Sequence, residues 1–317
     1  MSVIISAVVP VFNEAESLEA FERELSAALA ASRQEHEIIW VDDGSTDGSF
    51  ASLKAFAAKP GQSALRLARN YGQTSALAAG IAAARGEWIV TLDADGQNDP
   101  DDIPRLLAAA AGGADVVSGW RRRRRDDFFT RVLPSRAANA FISWTTGVRL
   151  HDFGCTLKVY RASLLKAVDL YGEMHRFLPA ILAYSGAVVT ELEVNHRPRV
   201  SGRSKYGLLR TFKVVLDLLT VKFMGDFITK PIYLFGGLSL GLMAAAGLMA
   251  GYTLHNKLFN GVFVKDQPLF LLAIFFALVA VQFAVLGLLA EVLIRTYHSS
   301  SRKPPYNVAE KAGGGAR

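Results

Sequence analysis

Over the first 120 residues, short apolar runs alternate with longer stretches of helical periodicity. The runs at 3–11, 37–41, 64–68, 87–92 and 115–118, rich in Val, Ile and Leu, read as strands. The stretches at 15–33, 47–58, 73–85 and 101–111 read as helices. A βαβα order predicts a mixed, mainly parallel sheet with helices on both faces, an α/β fold. Ligands of such sheets bind at the carboxyl ends of the strands. The first run, within "MSVIISAVVPVFNE", lacks the basic region of a signal peptide and reads as the first core strand.

The C-terminal third has a different pattern. Pro231–Leu254 and Pro268–Ala290 carry no charge, and Gln282 is the only strongly polar side chain of the second run. Each is long enough to cross a bilayer as a helix, which takes roughly 20 residues. Buried core helices would also fit, but two such runs in tandem favour a transmembrane hairpin joined by "HNKLFNGVFVKDQ". Lys213, Lys222 and Lys230 precede the hairpin, and Arg295, Arg302 and Lys303 follow it. The positive-inside rule then puts both flanks and the N-terminal domain in the cytoplasm, with Lys257 and Lys265 in the connector weakening the asymmetry. Gly237/Gly241 and Gly247/Gly251 either allow close helix approach, within the hairpin or between two copies in a homo-oligomer, or are the ordinary glycines of membrane helices. The expected division is a cytoplasmic α/β domain over 1–226, a membrane domain over 227–295 and a disordered cytoplasmic tail over 296–317.

Charge and composition narrow the partners. The chain has 317 residues, 35 Lys+Arg against 29 Asp+Glu and 51% hydrophobic residues. A basic excess on so apolar a chain points to anionic headgroups and a membrane rather than to nucleic acid. The excess concentrates in "WRRRRRDD" at 120–127 and in 195–213. Stretches 128–146 and 207–224 mix basic and large apolar residues as interfacial amphipathic helices do. Cys155 is the single cysteine, so no intrachain disulfide forms.

Three polar clusters fall at predicted strand ends: "PVFNE" (10–14), "DDGSTD" (42–47) and "DADGQ" (93–97). Neither G-x-G-x-x-G after a strand nor G-x-x-x-x-G-K-[ST] occurs, so glycine-rich backbone is not the main phosphate cradle. An acidic edge can hold a diphosphate if a divalent metal lies between them. Asp93 and Asp95 form a D-x-D pair suited to Mg²⁺ or Mn²⁺, whereas Asp99 and Asp101 fit a helix cap.

Together "VVPVFNE", "VDDGSTDGS" and "DADGQNDP" resemble family 2 glycosyltransferases of the GT-A fold. "VVSGWRRRRRD", "LHDFGCTLKVYRASLL", "EMHRFLPAIL" and "NHRPRVSGRSKYGL" extend the resemblance to the polyprenyl-phosphate branch, which includes dolichol-phosphate mannose synthases and bactoprenol glucosyltransferases. The resemblance implies transfer of a sugar from a nucleotide-diphosphate sugar to a polyprenyl phosphate, with inversion. It assigns Pro10, Phe12, Glu14, Asp42, Asp43, Gly44 and Asp93 to the nucleotide sugar, and Asp93, Asp95 and Gln97 to the metal. Arg121, Arg124, Arg197, Arg203, Ser204 and Lys205 match the acceptor-phosphate side. Arginine suits that task because it grips phosphate oxygens through two parallel hydrogen bonds.

Asp152 matches the residue usually assigned as catalytic base. A phosphate monoester is already mostly a dianion at pH 7, so Asp152 has two candidate jobs: removing a proton, or orienting the arginines. His151, His175 and His196 lack metal-ligand spacing and read as structural, His175 near the acceptor. A membrane-anchored nucleotide-sugar-binding scaffold is the alternative to an enzyme, but it would not need both substrate sites. A processive polysaccharide synthase would need a Q-x-x-R-W-type motif, which the chain lacks.

Overall fold

Strand β1 (Ile5–Val11) alternates its side chains between two cores. Ile5, Ala7, Val9 and Val11 enter one cluster with Trp40, Phe21 and Phe56, while Val8 enters the other with Ile39, Val41 and Leu77. A strand with apolar residues on both sides must be covered on both sides, and that condition makes the sheet the middle layer. The computed structural model describes residues 4–122, 139–140, 142–143, 146–170, 174–197, 232–299 and 308–313.

The order continues α1 (Leu18–Ala31), β2 (His36–Asp42), α2 (Ser49–Ala57), β3 (Gln62–Leu67), α3 (Gln73–Ala83), β4 (Trp88–Thr91), α4 (Ile103–Ala111) and β5 (Val116–Trp120). These match the expected strands and helices to within a few residues. A 3₁₀ turn, Pro100–Asp102, precedes α4, and the Asp99 carboxylate accepts the Asp101 amide at 3.2 Å, the capping role expected of this pair. Then follow β6 (Lys158–Arg161), α5 (Ala162–Leu165), α6 (Leu178–Tyr184) and β7 (Val189–Glu193). The sheet runs β7-β5-β6-β4-β1-β2-β3-β8, where β8 is Val308–Gly313. Strands β1 to β4 are parallel, and β7 is parallel to β5. Strand β6 lies antiparallel between β4 and β5.

Within 296–317, the stretch expected to be a disordered tail, the described residues 308–313 instead form strand β8. It pairs antiparallel with β3, Ser63 opposite Gly313 and Arg66 opposite Glu310, with a register shift between Arg66 and Leu67. A tail of weak side-chain character still supplies backbone donors and acceptors, and an open sheet edge takes them up.

The chain divides into two compact units, Met1–Val221 with Pro304–Arg317, and Lys222–Lys303. The tail therefore belongs with the first unit rather than forming a segment of its own. In the second unit α7 (Ile232–Phe259) and α8 (Pro268–Ser299) form a hairpin, each longer than the apolar run that announced it. Both are long and apolar enough to cross a membrane. They pack through buried Ala246, Ala273 and Ala280, a Ser239 hydroxyl donating to the Ala280 carbonyl at 2.7 Å, and stacked Phe235 and Phe283. The four paired glycines do not make this contact: a Cβ at Gly237, Gly241, Gly247 or Gly251 would meet nothing within 4 Å.

Candidate active site

The turns after β1 and β2 are laced together at the carboxyl edge of the sheet. The Asn13 amide donates to Ser45 Oγ at 2.9 Å, and the Thr46 amide to Asn13 Oδ1 at 2.9 Å. The Glu14 amide donates to Ser49 Oγ and the Ala15 amide to Asp47 Oδ2. Asn13 takes φ +55°, a left-handed conformation that asparagine tolerates. Pro10, Phe12 and Glu14, all half-buried, are thereby fixed beside Asp42, Asp43 and Gly44.

Asp42 is fully buried, accepts the Ser45 amide on Oδ1 at 3.1 Å and pairs with Arg66 Nε at 3.3 Å through Oδ2. Asp43 uses both oxygens on the loop before α3, accepting the Tyr71 amide at 2.8 Å and the Gly72 amide at 2.9 Å. Burial, with Asp42 beside it, holds its carboxyl above the usual carboxylate range despite those two amides. Gly44 has φ +72°, and a Cβ there would lie 2.6 Å from the Arg69 carbonyl carbon, so only glycine fits. Asp43 and Gly44 thus shape the edge by holding the neighbouring loop.

That loop delivers a residue that spacing did not single out. Gln73, the first residue of α3, donates its Nε2 to Asp93 Oδ1 at 2.6 Å. The available signal was a polar residue directly after Gly72, in the loop that follows β3, a parallel strand to which no site residue had been assigned. Beyond β4, Asp95 is buried and accepts the Gln97 amide at 3.1 Å, while Gln97 is half-buried. Asp93, Asp95 and Gln97 therefore lie on one short turn, although among the described residues no three His, Cys, Asp or Glu side chains form a metal-holding group.

The other half of the edge is built on β5 and β6. Asp152, 1% exposed, receives Arg121 in a two-pronged pair, Nε to Oδ2 at 2.8 Å and Nη2 to Oδ1 at 3.1 Å. The Gly154 amide donates to the same carboxylate at 3.1 Å. Burial works against the Arg121 charge, but Asp152 together with the other acidic groups nearby, Asp93 among them, holds the guanidinium above its ordinary pKa. A Cβ at Gly154 would lie 3.3 Å from Arg121 Nη2, so glycine keeps that flank open.

Segment 195–197 is strapped to the acidic turn. The Asn195 amide donates to buried Asp102 at 2.7 Å, His196 bridges to Asn98, and the Arg197 amide donates to the Gln97 carbonyl at 2.9 Å. The Arg197 guanidinium spans Glu24 at 2.6 Å and Asp99 at 2.7 Å. Arg197 acts here as a strut between carboxylates. Arg124, Arg203, Ser204 and Lys205, the 207–224 helix and most of 128–146 lie outside the described residues.

His175 is buried, and its Nδ1 lies 2.7 Å from Thr74 Oγ1. Burial, then Arg176 and Lys158, push its pKa well below the usual value, so it is a neutral structural contact beneath α3. Burial pushes the Cys155 thiol up to about 11, which leaves it unreactive at neutral pH.

The mixed, mainly parallel sheet with helices on both faces is a GT-A fold. Mannosyl-3-phosphoglycerate synthase from Rubrobacter xylanophilus shares the fold with a TM-score of 0.55 at 18% identity, covering 71% of this chain and 75% of its own. Glucosyl-3-phosphoglycerate synthase from Mycobacterium tuberculosis, solved with Mn²⁺, uridine diphosphate and phosphoglyceric acid, aligns with a TM-score of 0.52 at 19% identity, over 70% of this chain and 78% of its own. Residues 6–169 match the family described as Glycosyl transferase family 2, and the chain belongs to that family. The dodecaprenyl-phosphate galacturonate synthase of Rhizobium johnstonii is 41% identical over 98% of this chain and 93% of its own length. The undecaprenyl-phosphate 4-deoxy-4-formamido-L-arabinose transferase of Pseudomonas fluorescens is 38% identical over 95% of this chain and 88% of its own.

Proposed function

We propose that the protein transfers a sugar from a nucleotide-diphosphate sugar to the phosphate of a membrane polyprenyl phosphate, inverting the anomeric centre. The observation that carries this reading is similarity over 98% of the chain, both apolar helices included, to a relative named for polyprenyl-phosphate glycosylation. The two helices anchor the chain in a membrane, with both flanks on the cytoplasmic side.

Asp42 and the β1 turn hold the nucleoside, and Asp93, fixed by Gln73, lies toward the diphosphate. The donor set of Asp93, Asp95 and Gln97 is all oxygen, which fits a hard cation whose remaining ligands come from water and the diphosphate. Mg²⁺ or Mn²⁺ bound there would neutralise charge on the leaving nucleoside diphosphate. On the acceptor side, Asp152 engages Nε and Nη2 of Arg121, and the remaining guanidinium hydrogens can grip a phosphate oxygen. Asp152 is in this reading the residue that aims Arg121.

Purified protein in detergent, given labelled nucleotide sugars (galacturonate and hexose donors among them) and a short polyprenyl phosphate, is expected to move label into the organic phase as a lipid-linked sugar monophosphate. Cytoplasm-side-out vesicles should leave the catalytic unit open to added protease. Failure of every donor to label lipid, or equal transfer to a water-soluble sugar, would overturn the proposal.

A further inference from the structure

The loop that carries Asp152 is held by side chains the reaction scheme has not used. Thr91 faces Lys158 across β4 and β6, Lys158 faces Ser118 across β6 and β5, and Ser118 faces Glu191 across β5 and β7. Directly opposed residues share a face, so these four form one polar row across β4, β6, β5 and β7. Three of them reach the backbone of 151–156. Glu191 Oε1 accepts the amides of His151 and Asp152, each at 2.9 Å, and its Oε2 lies 2.8 Å from His151 Nδ1. Lys158 Nζ donates to the Phe153 carbonyl at 3.0 Å. Thr91 Oγ1 donates to the Thr156 carbonyl at 2.8 Å. The His151 ring, held by Glu191, stacks on Trp120 at 4.3 Å, next to Arg121 in the chain.

We infer that Glu191 and Lys158 are positioning residues for the transfer reaction, fixing the backbone of 151–153 so that Asp152 presents Arg121 to the acceptor phosphate. The inference rests on the proposed function and deepens it on the acceptor side. Lysine is a poor choice at this place for stability alone, being 2% exposed. Burial pushes its amine down to about 8 from 10.5, so the fold carries the charge at a cost below pH 8. That cost fades between about 8 and 10.5, where the unfolded chain still binds the proton and the folded chain does not.

The test uses the full-length protein in detergent and compares Glu191→Ala, Glu191→Gln and Lys158→Met. A misplaced reacting group typically loses about 10²-fold in rate. Glu191→Ala is expected to lose about that factor in kcat and to raise KM for the polyprenyl phosphate, with KM for the donor and binding of the nucleoside diphosphate within about twofold. Glu191→Gln keeps an acceptor oxygen for the two amides and should recover most of the rate. Lys158→Met should lose roughly tenfold or more in kcat with an unchanged or higher Tm near pH 7. Wild-type kcat in Lys158→Met, or equal losses of donor binding, Tm and rate in the variants, would overturn the inference. Should Glu191→Ala fail to fold, Glu191→Gln and Lys158→Met decide alone. Wild-type protein that binds nucleoside diphosphate yet transfers nothing to lipid would instead count against the proposed function.

Discussion

Asp152→Asn is expected to lower kcat by about 10²–10³-fold at every pH from 6 to 9, with a raised KM for the lipid phosphate. The pair is buried and two-pronged, with Arg121 only 17% exposed and Asp152 1%. Removing one partner of a buried pair costs about 3–5 kcal/mol, because the other charge is left uncompensated. Asparagine keeps one oxygen for the guanidinium, which places the expected loss toward the lower part of that range. Arg121→Lys should do comparable damage, since a point charge cannot satisfy both carboxylate oxygens and still reach a phosphate. A different outcome would follow if Asp152 removed a proton. The second pKa of a phosphate monoester is near 6, so a variant lacking the base should recover as the acceptor becomes a dianion. Recovery of Asp152→Asn above pH 7 with acceptor KM unchanged would restore the general-base role.

Chelation is expected to abolish transfer, and Mg²⁺ or Mn²⁺ to restore it. Asp95→Ala should remain down by about 10³-fold in saturating metal, the order expected when a cation stabilising a leaving diphosphate is lost. Asp95 is buried in the turn that follows β4, where a charged carboxylate is costly to hold unless it is well partnered. Asp93→Asn should fall less far, because Gln73 can still bond to the remaining oxygen. Binding of Mn²⁺ in the presence of nucleoside diphosphate, followed by magnetic resonance, supplies a readout independent of turnover. Full activity of Asp95→Ala without added metal would remove these residues from the metal site.

The parallel half of the fold was legible because its strands are apolar on both faces and its helices carry their own period. Strands β6 and β7 were not foreseen. "KVYR" is four residues long, and "VTELE" is half-exposed throughout, so neither shows the apolar run that marks a central strand. The acidic side of the candidate site can be read locally, since D-x-D and Asp-Asp-Gly gather their carboxylates within two or three residues. Gln73 and Glu191 cannot be, because each acts on residues brought close only by folding, and Lys158 cannot be, because its place inside the sheet comes from a strand that the sequence does not announce. Gln73 meets Asp93 across 20 positions, and Glu191 meets Asp152 across 39. Arg197, a basic residue in a basic stretch that reads as a phosphate ligand, has its guanidinium engaged by Glu24 and Asp99, partners 173 and 98 positions away that spacing does not reveal.

Strand β8 closes an edge that stays open through a long stretch of synthesis. Between the end of β3 at Leu67 and the start of β8 at Val308 the ribosome adds roughly 240 residues, both apolar helices among them. At about 5–20 residues per second that is an interval of tens of seconds during which a folded parallel sheet offers unpaired backbone to any other strand. Residues 308–313 then cover the β3 edge from within the same chain, which guards against edge-to-edge association. A chain ending at residue 299 is expected to form oligomers through β3 that the full chain does not form in the same detergent. A truncated chain that elutes as the full one does would show that this edge needs no cover.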